Sequence, residues 1–189
     1  MIDLIIPYYN NPEGLKRTLD SVNREIFYVT VVDDSSSIYV PYHQNIDDVL
    51  RYNANHGPGF ARQFGLDRTY EPYVMFLDTG DIFISKELQE EVMYKIFESK
   101  PVLTSCLYYH YDKLSNHLDN RLHGKIYKRA FLEEYEISFP LESSYLNEDI
   151  GFNRICNTII NEKKLLQMRI DKPIIKQIKD ENSLTQKDN

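Results

Sequence analysis

Cysteine is scarce in this 189-residue sequence: Cys106 and Cys156 are the two present, too few and too isolated for a disulfide framework or a zinc knuckle. A reduced compartment follows, with both thiols read as small core residues. No apolar run approaches the ~20 residues needed to span a bilayer, and Ile2 to Ile6 enters a strand-like run with no basic region before it. These features predict a cytoplasmic, soluble protein. No Pro, Gly or Ser tract divides the chain and no internal repeat is found, so the length predicts one domain, able to bury roughly two-thirds of its unfolded surface. Positive charge is also short. The 22 basic residues against 29 acidic ones leave a formal charge of −7, which argues against general nucleic-acid backbone binding and leaves room only for a local basic patch.

What is present is an alternation of element types. Leu4-Ile5-Ile6 reads as a buried strand, and Asn11 and Pro12 as the N-cap and first position of a helix carrying Leu15, Leu19 and Val22 at helical spacing. Phe27 to Val32 is a second strand, breaking at the polar turn Asp33 to Ser37, and Val49 to Asn53 a short third. After the turn cluster Asn55 to Gly59, Phe60 to Arg68 reads as a helix. Tyr73 to Leu77 is a fourth strand, Ser85 caps a helix with the apolar face Leu88, Val92 and Ile96, and Val102 to Tyr109 is a fifth strand. Tyr111 to Leu122 is polar and loop-like, Lys128 to Tyr135 helix-like. Asn147 is placed to cap a helix beginning Glu148-Asp149, and Lys172 to Lys179 forms a late strand. The lysines Lys125, Lys128, Lys176 and Lys179 are expected in solvent, with one of them in reach of a diphosphate. Such alternation predicts an α/β domain with an open, mostly parallel central sheet flanked by helices, spanning 1–179, and a polar tail over 180–189.

In sheets of this kind ligands gather beyond the carboxyl ends of the strands. Three clusters fall there: Pro7 to Asn10, Asp33 to Ser37, and Asp78-Thr79-Gly80-Asp81. Two carboxylates where a buried strand emerges suit a hard divalent cation, whose remaining oxygen ligands substrate phosphates commonly supply. Helix capping is the competing explanation for Asp78 and Asp81, and an Asx turn for Asp33 and Asp34.

Taken in order, these pieces resemble the family 2 glycosyltransferases of the GT-A (Rossmann-like) fold. Ile5 to Asn10 is similar to the family's opening strand, Val31 to Ser36 to its second, and Asn55 to Gly65 to its glycine and arginine segment. Phe76 to Asp81 resembles the metal motif, His123 to Arg129 with Phe131-Leu132 and then Asn147 to Asp149 later segments, and Asn182 to Thr185 a recurrent ending. One departure stands out: the motif commonly reads Asp-x-Asp-Asp, and Gly80 takes its third place.

The resemblance implies a metal-dependent transfer of sugar from a nucleoside diphosphate, UDP first, to a carbohydrate or other hydroxyl-bearing acceptor, with inversion. Asp78 and Asp81 would hold Mn²⁺ or Mg²⁺, with His123 adding a metal or phosphate contact. Asp33 and, more clearly, Asp34 would bind the base and ribose, Tyr9 would stack on the base, and Pro7 would shape the turn. Arg62 would meet the nucleotide or its phosphates, with Gly57 and Gly59 permitting close backbone approach. Asp149 is the first choice of general base and Glu148 the second. Tyr108 to Tyr111 and the following loop form a candidate acceptor region. Nucleotidyl transfer to sugar phosphates and a non-catalytic partner-binding subunit are the alternatives, and modified DNA stays admissible as an acceptor; sugar and oligomeric state are left unspecified.

Overall fold

A computed structural model describes residues 1–116, 120–140 and 148–179. The expected cap at Asn147, the expected tail 180–189 with its ending Asn182 to Thr185, and residues 117–119 of the expected loop lie outside the described residues. The chain begins β1 (Ile2–Tyr8), α1 (Pro12–Asp20), β2 (Phe27–Asp33), β3 (Asp48–Arg51), α2 (Pro58–Leu66) and β4 (Tyr73–Phe76). It continues through β5 (Ile82–Phe83), α3 (Lys86–Ser99), β6 (Leu103–His110), β7 (Lys113–Leu114) and β8 (Lys125–Lys128) to α4 (Arg129–Glu134), α5 (Glu148–Lys163) and β9 (Gln167–Gln177).

The strands form one sheet in the order β3-β2-β1-β4-β8-β6-β9-β5, with β7 paired to β6. The α/β architecture is the expected one. Pairing is parallel from β3 to β4, where α1 connects β1 to β2 and α2 connects β3 to β4, and mixed beyond, because β8 runs antiparallel between β4 and β6. That reversal follows from connectivity: β8 runs straight into α4 without a crossover. It also means that the start of β8 lies beside the end of β4.

Period-two alternation sends side chains to opposite faces. Leu4, Ile6, Val29, Val31 and Met75 join Leu15 and Leu19 of α1 and Val92 and Ile96 of α3 in one core cluster. Ile5, Val32, Val74 and Phe76 join Ala61 of α2, Phe131 of α4, and Phe152 and Cys156 of α5 in the other. Each fully buried Leu or Ile contributes roughly 1.5–3 kcal/mol of transfer free energy, so the two clusters hold the layers together. Both cysteines are core residues, as expected, and burial pushes their thiols up to about 12.

Local signals set the helix ends. Asn11 Oδ1 accepts from Gly14 N at 2.9 Å ahead of Pro12, and Ser85 Oγ accepts from Leu88 N at 3.2 Å. Lys125 departs from expectation: it is buried, and its ammonium donates to the Arg121 carbonyl, because β8 is an interior strand.

At the ends of the central strands remote from the strand-end clusters, Arg129 is buried and donates to Asp3 Oδ2 at 2.7 Å, Thr69 Oγ1 at 2.8 Å, and the carbonyls of Leu66 and Glu71 at 3.0 and 2.9 Å. Asp3 also accepts from Glu71 N at 2.8 Å. Removing one partner strands a buried charge. Arg129→Met is therefore expected to lower stability in urea denaturation by about 3–5 kcal/mol, and the double change Asp3→Leu with Arg129→Met to recover a substantial part of it.

Candidate active site

The turn after β4 is held in place by hydrogen bonds to α1 and β1 that are remote in sequence. Thr79 Oγ1 donates to the Pro7 carbonyl at 2.6 Å, Gly80 N to Thr18 Oγ1 at 2.9 Å, and Phe83 N to Ser21 Oγ at 3.0 Å. Asp81 N closes the turn on the Asp78 carbonyl at 3.1 Å. Gly80 has φ of 105°, a conformation that side chains disfavour, so the motif's third place holds glycine for a backbone reason.

This turn aims Asp78 and Asp81 at His123, which precedes β8. One donor atom from each of the three lies within 4.8 Å of the others: His123 Nε2 is 3.1 Å from Asp81 Oδ2 and 3.8 Å from Asp78 Oδ2. The imidazole stacks on buried Tyr108 at 5.1 Å. Tyr108 therefore supports His123 from beneath. Burial pushes the Asp81 carboxyl up, while at Asp78 the opposing pull of Arg62 and His123 outweighs burial and keeps the carboxyl below its usual range. Burial lowers His123, but Asp81 and Asp78 raise it overall. Among the described residues, Asp81 Oδ2 and His123 Nδ1 are buried without a hydrogen-bond partner, Asp81 Oδ2 standing 3.1 Å from His123 Nε2 as an ion-pair contact. Two carboxylates and an imidazole converging on a buried, unsatisfied oxygen fit a divalent cation.

Arg62 joins this cluster to α5. It is 5% exposed, which removes the solvent-facing alternative, and donates to Asp78 Oδ1 at 2.5 Å and Glu148 Oε1 at 2.9 Å. A Cβ on Gly59 would lie 2.4 Å from Glu148 Cγ, so glycine lets the first turn of α2 approach α5 closely enough for the pair. Gly57, at φ 85°, caps the same turn. Glu148 is thereby engaged as a counter-ion. Asp149, half-buried beside it, has Oδ1 on its neighbour's backbone N–H, Ile150 N at 2.7 Å, and is the freer carboxylate of the two. Asn153 donates to the Asp149 carbonyl at 3.1 Å and accepts from Tyr127 OH at 2.5 Å, tying α5 to β8.

The other strand-end clusters lie alongside, since Tyr8 pairs with Asp33 and Ile5 with Phe76. Asp33 Oδ1 accepts from Ser36 N at 2.8 Å and its second oxygen pairs with Arg51, so it organises the turn. Asp34 accepts from Tyr52 OH at 2.8 Å, His56 N at 2.7 Å and Gly57 N at 2.8 Å, which sets the loop that leads into α2. Three bonds leave about one of the carboxylate's four acceptor positions open. Pro7, expected to shape the turn, is instead half-buried within β1 in register with Val32, and Tyr9 just beyond the strand is 46% exposed, its ring accessible for stacking. Residues that pattern reading missed are Thr18 and Thr79, which hold the acidic turn, and Gln177, which reaches His123 Nε2 at 2.7 Å; no local signal marks any of them.

The acidic cluster thus sits at the carboxyl end of a central strand, where sheets of this kind gather their ligands. The family model described as "Glycosyl transferase family 2" matches residues 3–167, and the chain belongs to that family. An uncharacterized glycosyltransferase of Rickettsia bellii is 23% identical over 144 residues, covering 69% of this chain and 20% of that protein. The chain thus spans about a fifth of that relative's length. Among solved structures, S. aureus TarS 1–349 in complex with UDP-GlcNAc superposes with a TM-score of 0.79 at 21% identity, covering 96% of this chain and 59% of that one. The mannosyltransferase PcManGT from Pyrobaculum calidifontis in complex with GDP-Man and Mn²⁺ gives 0.72 at 16% identity, covering 96% and 58%. The fold is that of GT-A glycosyltransferases.

Because Gly80 answers to the backbone, restoring the motif's third carboxylate is expected to fail. Gly80→Asp and Gly80→Ala should each lose about 1–2 kcal/mol in thermal or urea unfolding, by similar amounts, with no gain in Mn²⁺ affinity.

Proposed function

We propose that this chain, with 1–179 as its catalytic domain, is a metal-dependent glycosyltransferase that moves a sugar from a nucleoside diphosphate, UDP first, to a hydroxyl acceptor with inversion. The observation that carries the proposal is the convergence of Asp78, Asp81 and His123 with the first turn of α5, joined through buried Arg62. Its support is family membership, a fold shared with structures titled as complexes with UDP-GlcNAc and with GDP-Man and Mn²⁺, and one credible base.

Asp78, Asp81 and His123 would hold Mn²⁺ or Mg²⁺. When bound, such a cation supplies charge neutralisation for a diphosphate leaving group. Tyr9 stacks on the base, and the last acceptor position of Asp34 meets a donor group of the base or ribose. Asp149 takes the proton from the acceptor hydroxyl as that oxygen bonds to the anomeric carbon; the bond from that carbon to the diphosphate oxygen breaks, and the nucleoside diphosphate departs with the electron pair. Displacement in one step inverts the anomeric centre. Glu148 and Arg62 keep this turn of α5 against the donor site, and a carboxylate at Asp149 suits the helix N-terminus, whose dipole favours negative charge.

Calorimetric titration with UDP is expected to show binding that Mn²⁺ strengthens, and Asp78→Ala to remove the Mn²⁺ contribution. Asp149→Asn should leave UDP binding unchanged while lowering UDP release from the sugar nucleotide by 10²–10⁴-fold. Folded protein that binds no UDP with or without Mn²⁺ sinks the proposal. Pyrophosphate release from nucleoside triphosphate and sugar phosphate would instead establish nucleotidyl transfer.

A further inference from the structure

Gln177 is the last residue of β9, paired in register with His110 at the end of β6, while β5, just after the acidic turn, pairs with β9 through Ile82 and Lys176. Three strand ends therefore deliver a carboxamide to the edge of the Asp78, Asp81 and His123 cluster. Its Nε2 lies 2.7 Å from His123 Nε2, and its Oε1 lies 2.5 Å from His110 Nδ1. The carboxamide is thus held between His110 and His123, and Arg121 Nη1 stands 3.3 Å from the same His110 nitrogen.

We infer that Gln177 sets how tightly this site takes a divalent cation, because its carboxamide occupies the position on His123 Nε2 that the cation needs. The inference rests on reading Asp78, Asp81 and His123 as cation ligands. An imidazole nitrogen has one in-plane direction, carrying either a lone pair or a proton. If the amide N–H donates to Nε2, the lone pair is in use; if the amide is turned so that its oxygen accepts, Nε2 carries the proton. Both arrangements must be undone before a cation bonds to Nε2, at roughly 2.1 Å for a metal of ordinary size. The same nitrogen is the one that faces Asp81 and Asp78. Gln177 is thus a stand-in partner for His123 in the cation-free protein, and a positioning residue that acts through it. Among the described residues His123 Nδ1 is buried without a hydrogen-bond partner, so stacking on Tyr108 and not a second hydrogen bond orients the ring. Metal-bound histidines usually donate their other N–H to an acceptor. The ring's own affinity for a cation is correspondingly modest, and competition at Nε2 weighs more.

The test titrates Mn²⁺ alone, followed by loss of the free-ion electron paramagnetic resonance signal. Removing one hydrogen bond of ordinary net strength corresponds to about a fivefold change, so Gln177→Ala is expected to bind Mn²⁺ about fivefold more tightly than wild type. Gln177→Met, which keeps the bulk and loses the amide, should match it. In a His123→Ala background Gln177→Ala should have no effect. Wild-type binding with equal or weaker binding by both Gln177 variants overturns the inference and leaves the proposed function standing. Absence of Mn²⁺ binding in wild type and variants alike overturns both.

Discussion

The site depends on the burial of one guanidinium. Arg62 cannot shed its charge, so placing it out of water requires carboxylates within hydrogen-bond distance, and Asp78 and Glu148 are the two supplied. They come from the turn after β4 and from the first turn of α5, so the need to compensate one charge brings the cation ligands and the candidate base to the same place. Asp78 serves on both sides of this arrangement, with Oδ1 on Arg62 and Oδ2 toward His123. Gly59 belongs to the same constraint, because any larger residue would push Glu148 away from Arg62.

A second buried pair, Asp3 with Arg129, works at the opposite ends of the central strands and has a different character. Each of its three guanidinium nitrogens finds a side chain or carbonyl of the surrounding segments, and the result is a closed network. At the strand-end crevice Arg62 Nε, Asp81 Oδ2 and His123 Nδ1 are buried without partners among the described residues. Closed networks stabilise a scaffold, whereas unsatisfied polar atoms gathered in one place mark where a ligand completes the structure.

Much of this organisation was legible in the sequence because it is local. Periodicity and caps located the strands and helices through α3, the two-residue β5 excepted, with Asn11, Pro12 and Ser85 at the expected boundaries. The acidic turn, Arg62, His123 and the pair Glu148-Asp149 were recognisable from residue type at a strand or helix end. The antiparallel insertion of β8 was not, since a four-residue strand followed at once by a helix has no periodicity of its own. Lys125 was misplaced for the same reason: charge predicts exposure, and only the sheet order shows that β8 is interior. Asp33 and Asp34 were read by chemistry shared between a turn and a ligand site, and their hydrogen bonds show how much of that capacity the turns use.

By itself the sequence determined the alternation of elements, the two-faced core and the membership of the family, because each is encoded in spacing and residue type along the chain. Tertiary structure alone decided which carboxylate faces Arg62, why the third place of the acidic motif is glycine, and that a glutamine from the last strand reaches His123. These are matters of distance between residues far apart in the chain, set by strand order and backbone conformation, and no local pattern records them.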